Sequence, residues 1–260
     1  MVIEVPAEAG FAVQVDGEIA TITLNRPRQL NPQSPHTWHW LARVGADLDP
    51  AVRIVIVRGQ GRSFSAGLDR AMLDPRGIDG VPGFAQIAAS GAEMADVTIS
   101  SFQDGFAWLA RPDLVSIAVV QGHAIGAGFQ LALACDLRIV ADEAQFVMAE
   151  PKLGLVPDLG GTKRLVELVG YSRAAEICLT ARTVWSDEMM ALGLATAVMA
   201  PKKIDAYLEK LVAQLVALPR AAVTATKGLL LSAADSTPEE QQRHEREAQY
   251  QRLIAMTAQL

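Results

Sequence analysis

Residues Val115 to Asp136, VSIAVVQGHAIGAGFQLALACD, constrain the fold of this chain more than any other stretch. A β-branched apolar run, Val115 to Val120, breaks at Gln121-Gly122 and passes Gly126 and Gly128. It continues through Phe129-Gln130-Leu131-Ala132-Leu133-Ala134 as a buried helix. A strand thus delivers the chain into a glycine turn at a helix N-terminus. The first N–H groups of such a helix have no intrahelical acceptor and sit at the positive end of its dipole, so they can bind an anion or a developing oxyanion. No side chain in Gly126-Ala127-Gly128 can do chemistry, so the useful donors are backbone.

A second copy of this arrangement lies upstream. Arg53 to Arg58 is a strand, Gly59 to Arg62 a turn, and Phe64-Ser65-Ala66-Gly67-Leu68-Asp69 has small residues where the backbone can approach a ligand. Two such loops at the ends of neighbouring strands can aim two N–H groups at one oxygen, as an oxyanion hole requires.

The flanking chain alternates strand and helix signals. Phe11 to Val15 and Glu18 to Leu24 alternate apolar and polar residues around Asp16-Gly17, a hairpin. Ser34 followed by Pro35 caps a helix that runs to about Leu48. Arg70 to about Thr98 has weak periodicity and predicts a loop with a short helix, lining a binding cavity. Ile99 to Leu109 is an amphipathic helix closed by Arg111-Pro112. Short strands follow at Leu137 to Val140 and Gln145 to Met148, then a loop from Glu150 to Asp158 and a helix from Gly160-Gly161 to Gly170. The remainder is helical, at 172–181, 186–192, 202–217, 220–231 and 238–257, with one strand at 195–199. A strand-rich first half and helix-rich second half predict an α/β core with a C-terminal helical layer.

With 260 residues, half of them hydrophobic, the chain can bury a full core. A formal charge of −6 argues against a nucleic-acid surface and for a small-molecule partner. Cys135 and Cys178 lie in apolar helical patterns without C-x-x-C spacing, which predicts buried thiols and no metal site. Glu4 and Glu8 occupy the N-terminal region without a basic-then-apolar segment, and no apolar run approaches the roughly 20 residues of a membrane span. A cytoplasmic protein is expected.

Two common site classes fit poorly. Gly122-x-x-x-Gly126-x-Gly128 has the glycine spacing of short-chain dehydrogenases, yet Tyr171, Tyr207 and Tyr250 are followed four positions on by Ala175, Leu211 and Ile254 instead of lysine. Gly61-Arg-Ser63-Phe-Ser65 lacks the final glycine of a hydrolase nucleophile elbow. His36 and His123 read as structural. Glu150 and Asp158, eight apart among Pro, Gly and Leu, are either structural acids or a general base pair whose burial lifts them toward neutrality. Asp136, following a helix, pins a turn.

From about Phe11 to Tyr250 the chain resembles the crotonase superfamily, the enoyl-CoA hydratases and isomerases. The segments that carry the resemblance are Thr23-Leu-Asn-Arg-Pro27, Ser63-Phe-Ser-Ala-Gly-Leu-Asp69, Gln121-Gly-His-Ala-Ile-Gly-Ala-Gly128, Ala134-Cys-Asp136 and Lys152-Leu-Gly-Leu-Val-Pro-Asp-Leu-Gly-Gly-Thr162. The resemblance implies a spiral of ββα units over residues 1–200 and a helical oligomerisation region over 201–260, in homotrimers or pairs of trimers. It implies an acyl-CoA thioester as substrate, with no separate cofactor, its carbonyl oxygen held by the N–H groups of Leu68 and Ala127. The substrate is expected to meet Arg28, Leu30, Ser65, Ala66, Gly67, Gly126 and Gln130, with the adenine end near Arg26 to Leu30 and Ser65-Ala66; Arg28, Arg62 and Lys227 read as solvated surface charges or, alternatively, phosphate contacts. Removing a proton next to a thioester places charge on the carbonyl oxygen, and two preorganised donors stabilise that enolate.

The acids select the reaction. Hydratases similar to this chain carry glutamates at the positions of Gln130 and Glu150. A neutral amide at 130 can hold a water or hydroxyl but cannot exchange a proton at pH 7. Val156-Pro-Asp-Leu-Gly-Gly-Thr162 resembles the double-bond isomerases, in which an aspartate at the position of Asp158 moves the proton. The sequence alone therefore favours isomerisation by Glu150 and Asp158. Hydration by Glu150 with Gln130 placing water is the alternative, in which glutamate at 130 would raise the rate. A non-catalytic acyl-CoA binder is the third reading.

Overall fold

The computed structural model describes residues 2–78 and 80–258. The hairpin forms as its alternation predicts. After β1 (Val2–Ile3), strand β2 (Phe11–Asp16) buries Phe11, Val13 and Val15 and exposes the residues between them. It pairs antiparallel with β3 (Ile19–Leu24), with Asp16 opposite Ile19. Gly17 in the connecting turn has φ +54°, a left-handed conformation that favours glycine.

From β3 onward one unit recurs four times: a strand of the main sheet, a short strand in a separate sheet, then helix. The first is β3, β4 (Pro32–Gln33) and α1 (Pro35–Asp47). The second is β5 (Ile54–Gly59) and β6 (Gly67–Leu68), with α2 (Phe84–Ala89) and α3 (Ala92–Ala107). The third is β7 (Val115–Val120), β8 (His123–Ile125) and α4 (Ala127–Ala134). The fourth is β9 (Leu137–Ala141), β10 (Gln145–Val147) and α5 (Gly161–Val169). Then come α6 (Tyr171–Thr180), β11 (Val184–Trp185), α7 (Ser186–Ala191), β12 (Ala197–Met199), α8 (Pro201–Ala217), α9 (Arg220–Ala233) and α10 (Pro238–Thr257). The main sheet has the order β1-β2-β3-β5-β7-β9-β12, parallel from β3 on. A three-stranded sheet, β11-β10-β8, and the pair β4-β6 stand apart from it. This is the expected spiral of ββα units.

Helix α4 sits at the centre. Ala127 to Leu133 are all buried, so it has no polar face, the pattern of a helix enclosed on every side. Packing is tight at Gly128, where a Cβ would come within 2.6 Å of the Ser65 carbonyl oxygen and 2.8 Å of its Cβ. Only glycine lets the helix lie that close to the loop before β6.

Among the elements that differ from the expectation are helix α3 and strand β8. Helix α3 begins at Ala92 instead of near Ile99, because Met94 and Val97 in its first turns are exposed and leave no apolar stripe to read. Strand β8 falls inside what reads as one glycine turn. Its residues are recruited by β10, with Gln145 opposite His123 and Val147 opposite Ile125, a tertiary pairing that local pattern does not encode.

The C-terminal helices attach in different ways. Helix α8 buries Ile204, Leu208 and Val212 at four-residue spacing and packs on β9, whereas α10 has no buried residue and packs on α9. Among the described residues no single helix is long and apolar enough to cross a membrane. Helix α9 is tied down by Lys227, which is neither a phosphate contact nor a solvated surface charge, as the sequence suggested. It is buried, and its Nζ donates to Asp136 Oδ2 at 2.7 Å and to the Leu114 carbonyl at 2.8 Å. Burial pulls the ammonium below the usual lysine range, and Asp136 opposes that shift. Asp136 Oδ2 also accepts the Ser116 N–H at 2.8 Å, so the acid expected to pin a turn joins β7, β9 and α9.

Removing one partner of a buried pair strands the other charge, which costs about 3–5 kcal/mol. Asp136→Ala is therefore expected to lower unfolding free energy by about that amount, measured by urea denaturation. Asp136→Leu with Lys227→Met should recover most of the loss, and a single variant as stable as the wild type would contradict the assignment.

Candidate active site

The third and second units bring their turns together. Gly67 has φ +83°, and a Cβ there would overlap the Ile125 carbonyl oxygen and lie 3.4 Å from the Ala127 nitrogen. The turn into β6 thus touches the turn into α4, backbone to backbone. Asp69 N donates to the Gln33 carbonyl at 2.7 Å, and successive N–H groups of a strand face opposite ways, so the Leu68 N–H points away from β4. Ala127 is the first residue of α4, and its N–H has no intrahelical acceptor. Gly126, at φ +52°, anchors the turn by donating its N–H to the Val147 carbonyl at 2.8 Å.

Ser65 braces this junction. Its N–H donates to the His123 carbonyl at 2.8 Å, and its carbonyl accepts the Ile125 N–H at 3.0 Å. Its hydroxyl donates to the Asn31 carbonyl at 2.7 Å and accepts from Gly67 N at 3.1 Å and Gln33 Nε2 at 3.0 Å. Gln33 Oε1 in turn accepts Trp38 Nε1 at 3.0 Å. Ser65, expected beside the ligand, is 0% exposed, and its hydroxyl is engaged within the protein. Gly67 and Gly126 are likewise buried, as the contact between the two turns, while Leu68 and Ala66 are half-buried.

Leu30 and Ala66 are brought together, since Ala66 N donates to the Leu30 carbonyl at 2.8 Å. Arg28 and Arg62 are exposed, and Arg26 pairs with Asp69 at 2.9 Å. Leu30 and Asn31 both have positive φ, +62° and +55°, a conformation costly for residues other than glycine. The buried Asn31 side chain holds it, with Nδ2 donating to the carbonyls of Gln60 and Ser63 at 3.0 and 2.8 Å. Asn31 is assigned no role from the sequence. Its type was the available signal, because asparagine tolerates the left-handed region better than most residues.

The two acids lie beyond the α4 turn. Glu150 opens a 3-10 turn, and its carboxyl is stacked against Gly126, where a Cβ would sit 3.1 Å from Oε1. Oε1 accepts Gln130 Nε2 at 2.7 Å, whereas Oε2 is buried with no hydrogen-bond partner among the described residues. Burial pushes the Glu150 carboxyl up, the Gln130 hydrogen bond opposes this, and the charge of Asp158 adds to the rise. Burial likewise raises Asp158, whose carbonyl accepts Gln103 Nε2 at 2.7 Å. Among the described residues neither carboxylate forms an ion pair.

Gln130 is placed differently from expectation. It is 1% exposed, and its Oε1 accepts the N–H groups of Leu159 and Gly161 at 2.9 and 3.2 Å while its Nε2 serves Glu150. Its oxygen is thus engaged by two main-chain donors and one of its two N–H groups by Glu150.

The other candidates are structural. His123 Nδ1 lies 2.9 Å from Ser63 Oγ at the base of the loop. Burial pushes the Cys135 thiol up to about 12. Among the described residues no three His, Cys, Asp or Glu are grouped to hold a metal. The 70–98 region carries α2 and the start of α3, and a hollow of about 760 Å³ opens there, lined in part by Ala71, Ile78, Val81 and Gln86.

Comparison with known proteins assigns this geometry a setting. The family model described as enoyl-CoA hydratase/isomerase matches residues 14–258. The chain is similar to a "putative enoyl-CoA hydratase" from Thermobifida fusca YX solved in complex with acetoacetyl-CoA, at 52% identity over 96% of each chain and a TM-score of 0.92. It is 32% identical over 196 residues to a short-chain-enoyl-CoA hydratase of Clostridium acetobutylicum, covering 74% of this chain and 69% of the other. It is 30% identical over 228 residues to a peroxisomal Delta(3,5)-Delta(2,4)-dienoyl-CoA isomerase of Arabidopsis thaliana, covering 86% of this chain and 81% of that one.

The raised carboxyls carry a consequence for stability. A carboxyl whose affinity for protons is higher in the folded state contributes stability that is full below its unfolded pKa and is lost as pH rises through the folded one. Glu150→Gln and Asp158→Asn remove that loss. Each variant should be more stable than the wild type near pH 8, with the advantage closing toward about pH 4, where the unfolded carboxyls titrate. Urea denaturation at both pH values checks this, and variants less stable at the higher pH would contradict it.

Proposed function

The chain belongs to the enoyl-CoA hydratase/isomerase family, and on that premise we propose that it binds an enoyl-CoA thioester and stabilises its enolate between the N–H groups of Leu68 and Ala127. Glu150 is the principal proton-transfer group, acting through Oε2, and Asp158 is the second acid. The observation that carries this reading is the Glu150 oxygen that is buried without a partner beside the Gly126 turn. An unpartnered buried carboxylate oxygen costs free energy in the resting protein, and a substrate proton satisfies it. The Thermobifida fusca relative solved with acetoacetyl-CoA, and again with CoA, supports the choice of ligand.

Two reactions share this machinery. In hydration, one carboxylate takes a proton from the water that attacks carbon 3 of a 2-enoyl-CoA. The charge moves to the thioester oxygen, and carbon 2 then receives a proton from a carboxylic acid. In isomerisation, the carboxylate removes a proton from carbon 2 of a 3-enoyl-CoA and a proton returns at carbon 4, without water. Hydration is the first reading, because most named relatives are enoyl-CoA hydratases. It revises the preference drawn from the residues alone. Since the Gln130 oxygen is engaged by main-chain donors, this reading assigns the water to Glu150 and Asp158. Isomerisation is the second reading, favoured by the presence of Asp158 and by the dienoyl-CoA isomerase among the relatives. Assembly into homotrimers is part of the proposal, supported by the exposed Tyr250, Leu253, Ile254 and Met256 on α10.

Incubation with crotonyl-CoA and, separately, a 3-enoyl-CoA tests the order. Water addition to the first should be the faster reaction and should fall about 10²–10⁴-fold in Glu150→Gln, the usual contribution of a positioned acid or base. A faster double-bond shift in the second substrate would reverse the order. Tight binding of both thioesters without turnover would leave a non-catalytic acyl-CoA binder.

A further inference from the structure

Gln130 belongs to neither reaction as written, yet it is among the most constrained side chains of the site. Its Oε1 accepts Leu159 N and Gly161 N, and its Nε2 donates to Glu150 Oε1. The amide can stand only one way round. Flipped, it would set an NH₂ group against two N–H donors and a carbonyl against a carboxylate. It is also walled in, since a Cβ on Gly161 would meet Gln130 Cγ at 2.7 Å.

We propose that Gln130 is a positioning residue that divides the tasks of the two Glu150 oxygens, fixing Oε1 so that Oε2 alone exchanges protons, and sets the spacing between Glu150 and the segment that carries Asp158. This rests on the reading of Glu150 as the proton-transfer group. The division follows from geometry. Oε1 is held by the amide and lies against Gly126, while Oε2 is buried without a partner. Leu159, bound by the same amide, directly follows Asp158, so one side chain links both acids.

Glutamate at this position would behave differently. One of its oxygens could accept Leu159 N and Gly161 N, but the other would stand where Nε2 now lies, 2.7 Å from Glu150 Oε1. Two carboxylates at that separation share one proton. The two main-chain donors favour negative charge at position 130, so the shared proton resides on Glu150, which is then no longer the ionised group. In this chain glutamine keeps Glu150 the ionised group, and a second glutamate would move that charge to position 130. The other titratable groups that act on the Glu150 carboxyl are Asp158 ahead of α5 and Cys178 on α6, and both are unchanged in this comparison.

The test follows Glu150 directly, in the substrate-free protein. Glutamate labelled with ¹³C at the carboxyl reports its titration by NMR, with Glu150→Gln assigning the signal, for the wild type, Gln130→Glu and Gln130→Met. Both variants should raise the midpoint by about one pH unit or more. The ascending limb of the pH profile of kcat/KM should move by the same amount, while KM for the thioester changes less than kcat. In the wild type, the Gln130 side-chain amide protons should shift with the Glu150 midpoint, a readout that needs no variant to fold. Midpoints unchanged in the variants, or amide protons blind to Glu150, overturn the positioning role whatever turnover is seen. Shifted midpoints together with full turnover in Glu150→Gln overturn the proposed base but support the coupling.

Discussion

The site depends on one close contact, the backbone of the Gly67 turn against Ile125 to Ala127. Parallel β5 and β7 lie side by side, so the chain leaves both at the same end of the sheet. Each strand then gives a short second strand, β6 or β8, and a helix. The two exits meet because residue 67 has no side chain, and any Cβ would overlap the Ile125 carbonyl oxygen. Ser65 fastens the meeting point with hydrogen bonds from its N–H, carbonyl and hydroxyl. The positions of the Leu68 and Ala127 nitrogens are therefore set by packing and by buried hydrogen bonds, not by loop flexibility. Such preorganisation is what makes backbone donors effective toward a developing charge.

The same neighbourhood holds two acids that, among the described residues, form no ion pair. Structural carboxylates in this protein are treated otherwise. Asp136 has Lys227, and Asp113 has Arg111 at 2.6 Å, which holds its carboxyl below the usual range. Glu150 and Asp158 are pushed the opposite way by burial. A fold that could have paired them instead leaves one Glu150 oxygen without a partner. Departures of this kind from local stability rules concentrate where chemistry is done.

Much of this was legible from sequence. The β-branched run, the glycines and the apolar helix of residues 115–134 give β7, the turn and α4 almost to the residue, because both periodicity and turn chemistry are local. The hairpin at Asp16-Gly17 and the cap at Ser34-Pro35 are legible for the same reason. What pattern could not show was partnership. Whether Lys227 faces solvent or Asp136, whether Ser65 faces a ligand or Gln33, and what the Gln130 amide binds are decided by residues 20 to 91 positions away in the chain. Strand β8 escaped for the same reason, since β10 creates it. A polar side chain near a glycine turn reads as ligand-facing until the tertiary donors and acceptors around it are known.

The central claim is that two main-chain amides and an unpartnered carboxylate oxygen converge on one thioester. A crystal structure of this protein with acetoacetyl-CoA bound measures that convergence directly. The account predicts the thioester oxygen within about 2.7–3.1 Å of both the Leu68 and the Ala127 nitrogens, with Glu150 Oε2 facing carbon 2. A thioester oxygen that meets neither nitrogen, or a Glu150 carboxyl turned away from the acyl group, would contradict it.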